Sequence, residues 1–129
     1  MASELRVNTL KDAAGNNSVG MSYVANGSAK AWVNLNQTGT QAIRVSFNVS
    51  SIADDGTGQT DISFTSNMGS ADYNFGCGKG RTGGQNGGAV AHDNDTEPTA
   101  SLFRIIVYAE NNAAHDDARA NVTIFGDLA

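Results

Sequence analysis

Gly78–Lys79–Gly80–Arg81–Thr82 sets a lysine among glycines and ahead of a threonine, the residue types of a phosphate loop. A Walker loop needs an earlier glycine five positions before its Gly-Lys, then Ser or Thr, then a helix. Here Gly80 follows the lysine and no helical periodicity comes after, so a bulged or flexible surface loop is expected. Asp93, Asp95 and Glu97 alternate as calcium ligands often do, without the glycine and spacing of an EF-hand. Asp also favours turns through its own side-chain hydrogen bonds, which makes a solvated loop the simpler reading. His92 beside Asp93, and His115 beside Asp116 and Asp117, are zinc-ligand types without ligand spacing. They could share an ion only through folding, or on the axis of a symmetric trimer. No Gly-x-Ser-x-Gly elbow frames a nucleophilic serine. Cys77 lies between two glycines with neither a helix terminus nor an adjacent base to activate it. No catalytic residue, metal or cofactor is expected.

The elements that would hold these residues are strands. Gly, Asn, Ser, Thr and Asp dominate the 129 residues, and apolar residues come in short clusters. One domain with one ordinary core fits that length. The net charge of −5 and pI near 4.7 argue against nucleic acid or an anionic membrane surface as partner. The eight basic residues are spread singly. A single cysteine excludes an internal disulfide. No Sec-type leader and no apolar run near the ~20 residues of a membrane helix is visible, so a soluble protein made in a cytoplasm is expected.

Residues 3–12 read as a strand with Leu5 and Val7 on one face. Met21, Tyr23 and Val24 fit either a strand or a helical turn. Ala29, Ala31, Val33 and Leu35 alternate with Lys30, Trp32 and Asn34, which puts Trp32 on the face opposite the apolar set. Ile43, Val45, Phe47 and Val49 alternate with polar residues, the clearest period of two in the chain. The turn at Asp54–Asp55–Gly56–Thr57–Gly58, followed by Ile62 and Phe64, predicts a hairpin. Tyr73–Asn74–Phe75 starts another strand, and the glycine-dense residues 76–88 predict loop or an irregular edge. Residues 100–110 carry apolar residues in both alternating sets, as a strand covered on both faces would. Val122–Thr123–Ile124–Phe125 closes the set, and roughly seven strands predict an antiparallel β-sandwich or jelly roll.

Lys30–Ala31–Trp32–Val33–Asn34, a glycine turn, Ile43–Arg44, and Ser46–Phe47–Asn48–Val49–Ser50–Ser51 resemble a motif of small marine-bacteriophage virion proteins of the tail-fibre type. Asp55–Gly56–Thr57–Gly58, Ile62–Ser63–Phe64–Thr65, Met68 through Tyr73, Phe103–Arg104–Ile105 and Val122 through Gly126 are similar to later segments of the same proteins. The opening Leu5–Arg6–Val7–Asn8–Thr9–Leu10 is similar to their first strand. Leu35–Asn36–Gln37 departs from a commoner aromatic and glycine pattern, and residues 76–88 are this chain's own.

The resemblance implies a non-enzymatic virion structural protein, a tail-fibre or tail-associated host-attachment component. Residues 1–28 are expected to form an arm for attachment to the virion or another subunit, and residues 29–129 the sandwich. A homotrimer is expected, with the subunit or virion interface at Leu5, Val7, Trp32, Leu102, Ile106 and Tyr108. Host contact, including surface glycan, is expected at Lys79, Arg81, Gln85, Asn86, His92, Asp93 and Asn94. The alternatives are a capsid decoration or cement protein, and a carbohydrate-binding module with exposed aromatics. Other virion proteins are the remaining partners expected.

Overall fold

The computed structural model describes residues 3–80 and 88–129. Along the chain it forms β1 (Thr9–Lys11), β2 (Ser18–Gly20), α1 (Met21–Gly27), β3 (Ala31–Asn36), β4 (Ala42–Phe47) and β5 (Val49–Gly56). Then come β6 (Gln59–Phe64), β7 (Asn74–Lys79), β8 (Val90–His92), β9 (Leu102–Val107) and β10 (Ala120–Phe125). Two four-stranded antiparallel sheets, β4-β3-β10-β7 and β5-β6-β9-β8, pack as a sandwich. The core follows from alternation on the four central strands. Ala31, Val33 and Leu35 of β3 and Ala120, Val122 and Ile124 of β10 point inward from one sheet. Ile62 and Phe64 of β6 and Phe103, Ile105 and Val107 of β9 meet them from the other.

Turn chemistry fixes the hairpins. Gly39, with φ of +69°, lies between β3 and β4. Thr57–Gly58 closes β5 onto β6. Gly58 has φ of +75°, and a Cβ there would lie 2.6 Å from the Val107 carbonyl, so only glycine fits. Asn48 alone separates β4 in one sheet from β5 in the other. It takes φ of +55° and exchanges hydrogen bonds with Ser66: Nδ2 donates to the carbonyl at 3.0 Å, and the Ser66 amide donates to Oδ1 at 2.7 Å.

Several local expectations change. The strand expected over residues 3–12 shortens to β1, which pairs only with β2 as a small hairpin. The undecided apolar cluster at Met21 is helical. The edge strand β7 runs regularly through the glycines to Lys79, paired residue by residue with β10. The largest change is in β4. Leu35 pairs with Ile43 but Asn34 pairs with Val45, which leaves Arg44 as an extra residue in a β-bulge. The bulge reverses the phase of the strand. Ile43 still packs on the core, whereas Val45 and Phe47 turn outward and are 53 % and 54 % exposed.

Before β3, among the described residues 3–30, no side chain is fully buried, and Val7, Met21 and Val24 are only partly covered. The β1–β2 hairpin and α1 contribute no residue to the sandwich core.

Candidate binding face

The bulge at Arg44 brings Val45 and Phe47 to the outside of the first sheet, beside Trp32. Trp32 on β3, opposite the inward Ala31 and Val33, pairs across the sheet with Phe47. Their rings lie nearly parallel, 22° apart, with centroids 6.5 Å from each other. The row continues over β10 and β7 as Thr123 and Gly76. The neighbouring row reads Val45, Asn34, Asn121 and Gly78. Asn34 Nδ2 donates to Asn121 Oδ1 at 2.6 Å, which holds the two amides side by side. Among the described residues nothing stands over Gly76 and Gly78; a Cβ at either would meet no atom of them within 4 Å. Aromatic surface, amides and bare backbone thus follow one another across the sheet, with no charged side chain in either row.

The outer face of the second sheet is of another kind. Arg104 on β9 pairs with Asp61 on β6 through Nε to Oδ1 and Nη2 to Oδ2, the latter at 2.9 Å, and reaches Asp55 with Nη1 at 2.6 Å. These carboxylates, Asp61 foremost, push the guanidinium further above its ordinary range. Ile106 on the same face is only 8 % exposed within the single chain, between Gln59 and Ala91 of the flanking strands. It therefore has almost no surface to offer a second subunit. Leu102 and Tyr108 are half-buried. Trp32 remains 36 % exposed, and in the arm Leu5 is 79 % exposed and Val7 partly so.

The residues expected at a host-contact loop separate. Lys79 turns inward, its side chain only 12 % exposed. Its Nζ stands 3.6 Å from the buried Asp117 carboxylate and donates to the Tyr108 carbonyl at 3.2 Å. Asp93 is buried, with Oδ2 accepting from Gln59 Nε2 at 2.8 Å and Oδ1 from the Asp95 amide at 3.2 Å. That is an Asp-centred turn tied to β6. His92 pairs in register with the inward Ile105 and packs its ring against Phe75 and Phe103. Lys79 and Asp93 are therefore unsuited to touching a receptor. Asn94 is exposed. Arg81, Gln85 and Asn86 lie outside the described residues.

Other chemical candidates resolve into structure. Among the described residues no group of three or more His, Cys, Asp or Glu converges as metal ligands would. Cys77 points toward the core beside Val122, and burial pushes its thiol up to about 11. Gln37, within the departure from the commoner motif, is fully buried at one end of the sandwich. Its Nε2 donates to the Gly58 carbonyl at 2.8 Å and to Thr60 Oγ1 at 3.0 Å, while Oε1 accepts from the Asp117 amide at 3.2 Å. A buried amide satisfied in this way ties both sheets and the loop before β10 together.

Val45, Phe47 and Asn121 were missed by reading the sequence. Regular alternation assigns Val45 and Phe47 to the core, and only the extra residue Arg44 exposes them. Trp32 was found, because its phase is set by the unbulged β3. No protein-family model, curated protein or solved structure matches this chain.

Proposed function

We propose that this chain is a non-enzymatic structural protein of a bacteriophage virion, a tail-fibre or tail-associated host-attachment component that works by association. The arm carries the reading. Leu5, Leu10, Val19 and Tyr23 are 79 %, 41 %, 39 % and 76 % exposed, and α1 buries none of its seven residues. A two-stranded hairpin is marginal alone in water, and a helix shorter than about 12 residues is too. Such a segment gains stability when its apolar side chains meet a further surface: another copy of the chain, as in a homotrimer, or a neighbouring virion protein. The resemblance of the Lys30–Ser51 region to tail-fibre-type proteins supplies the setting. Many copies on one particle turn weak individual contacts into firm attachment through avidity.

Cryo-electron microscopy of intact particles, with an antibody against this chain, tests the placement. Label at the tail is the expected result. Label over the head lattice would replace the tail reading with that of a capsid decoration protein, and unlabelled purified particles would remove the virion reading altogether.

A further inference from the structure

We infer that the Trp32–Phe47 face of the first sheet is a binding platform for a neutral oligosaccharide. This gives the attachment reading above a ligand class and rests on it for its setting. The chemistry of a sugar ring matches the order of groups on the face. Its apolar C–H side suits the exposed aromatic pair, and a hydroxyl suits the Asn121 amide of the next row, which Asn34 Nδ2 holds in place. Asn121 Nδ2 donates to no protein acceptor among the described residues, so it is available to a hydroxyl. The bare floor at Gly76 and Gly78 lets a ligand approach the backbone closely. From Phe47 to Gly76 spans three strand spacings, about 14 Å, the length of a short oligosaccharide.

Size argues for a small ligand over a second copy of the chain. At 36 %, 54 % and 53 % exposure, Trp32, Phe47 and Val45 offer roughly 300 Å² of side-chain surface, taking about 150–250 Å² for a whole aromatic. A standard protein interface takes about 800 Å² from each partner, a little over half of it apolar, so this apolar patch fills only part of one. Charge argues for a neutral sugar. The two rows carry no ionised group, and the chain's net charge of −5 disfavours an anionic glycan.

Trp32 is the only tryptophan, so emission excited selectively at the indole, beyond the absorption of the three tyrosines, reports on this face. The chain is titrated with soluble β-glucan, mannan and galactan oligosaccharides up to about 10 mM, beyond the range of weak millimolar binding. A saturable change in emission with at least one of them is expected. Phe47→Ala should weaken that binding about tenfold, a loss of about 1.4 kcal/mol. Gly76→Val should block it while leaving the melting temperature unchanged, because its side chain enters open space on a strand. Flat titrations with all three sugars would overturn the proposal. So would an emission spectrum that shifts with protein concentration alone, since a second copy would then cover the face. A failed titration removes the sugar only; the place in the virion is decided by particle imaging.

Discussion

Cys77 occupies an edge strand, where a thiol is often reactive, yet its side chain is turned inward against the core. Burial disfavours the thiolate and raises the pKa to about 11, so the reduced thiol stays neutral through the physiological range. A folded sample should therefore react slowly with a disulfide reagent near neutral pH. The rate should climb as pH rises toward 11 and the thiolate forms. Rapid reaction near neutral pH, with the fold intact, would contradict this placement. Lys79 shows the same contrast between type and place. In the sequence it is a cation among glycines, a natural surface contact; folded, it faces Asp117 and the Tyr108 carbonyl. Gly88 leaves room beside it, since a Cβ there would meet Lys79 Nζ at 2.7 Å and Tyr108 O at 2.0 Å. The partners of Lys79 arrive from distant parts of the chain, so nothing near it in sequence announces the pairing.

Among the elements, β4 decides what the surface can do. Its bulge at Arg44 is held by the guanidinium, whose Nε and Nη2 donate to the Ala118 carbonyl at 3.1 and 3.0 Å. Phe47 consequently lies outside while Phe103 is sealed in the centre of the sandwich. Phe47→Ala should cost about 1 kcal/mol or less in urea unfolding, mostly the contact with Trp32. Phe103→Ala should cost about 3–5 kcal/mol, the usual range for removing a core phenylalanine. Equal large losses at both positions would place Phe47 in the core and remove the bulge. The two residues also show how much of the site is legible beforehand. The strands β3, β6 and β10 alternate strictly and can be read directly, β9 shows itself by apolar residues in both alternating sets, and the hairpin at Thr57–Gly58 is carried by its turn residues. A bulge adds one residue and leaves the local apolar pattern untouched, so periodicity alone assigns Phe47 to the wrong face. Residues 3–12 failed for a different reason. Leu5 and Val7 have the strand pattern, but only Thr9–Lys11 finds a partner strand.

For the whole molecule, the core lies within the sandwich and the segment before β3 lies outside it. The two sheets bury a continuous core from Ala31 to Ile124 and close the chain's end through the Met68–Leu128 bridge. The arm leaves Leu5, Leu10, Val19 and Tyr23 largely in water, at an unfavourable cost of about 25 cal/mol for each apolar Å² left exposed. Association of copies or docking on a virion protein would remove that exposure, and this is the reason to read the protein as an assembly component. Light scattering on the purified full chain, beside Leu5→Ser/Val7→Ser and Leu10→Ser/Val19→Ser double variants, tests the point most directly. The intact chain should form an oligomer of defined mass, a trimer, at micromolar concentration. The variants should fall to monomers while keeping the melting temperature of the sandwich. An intact chain that stays monomeric with the arm ordered would contradict the central claim.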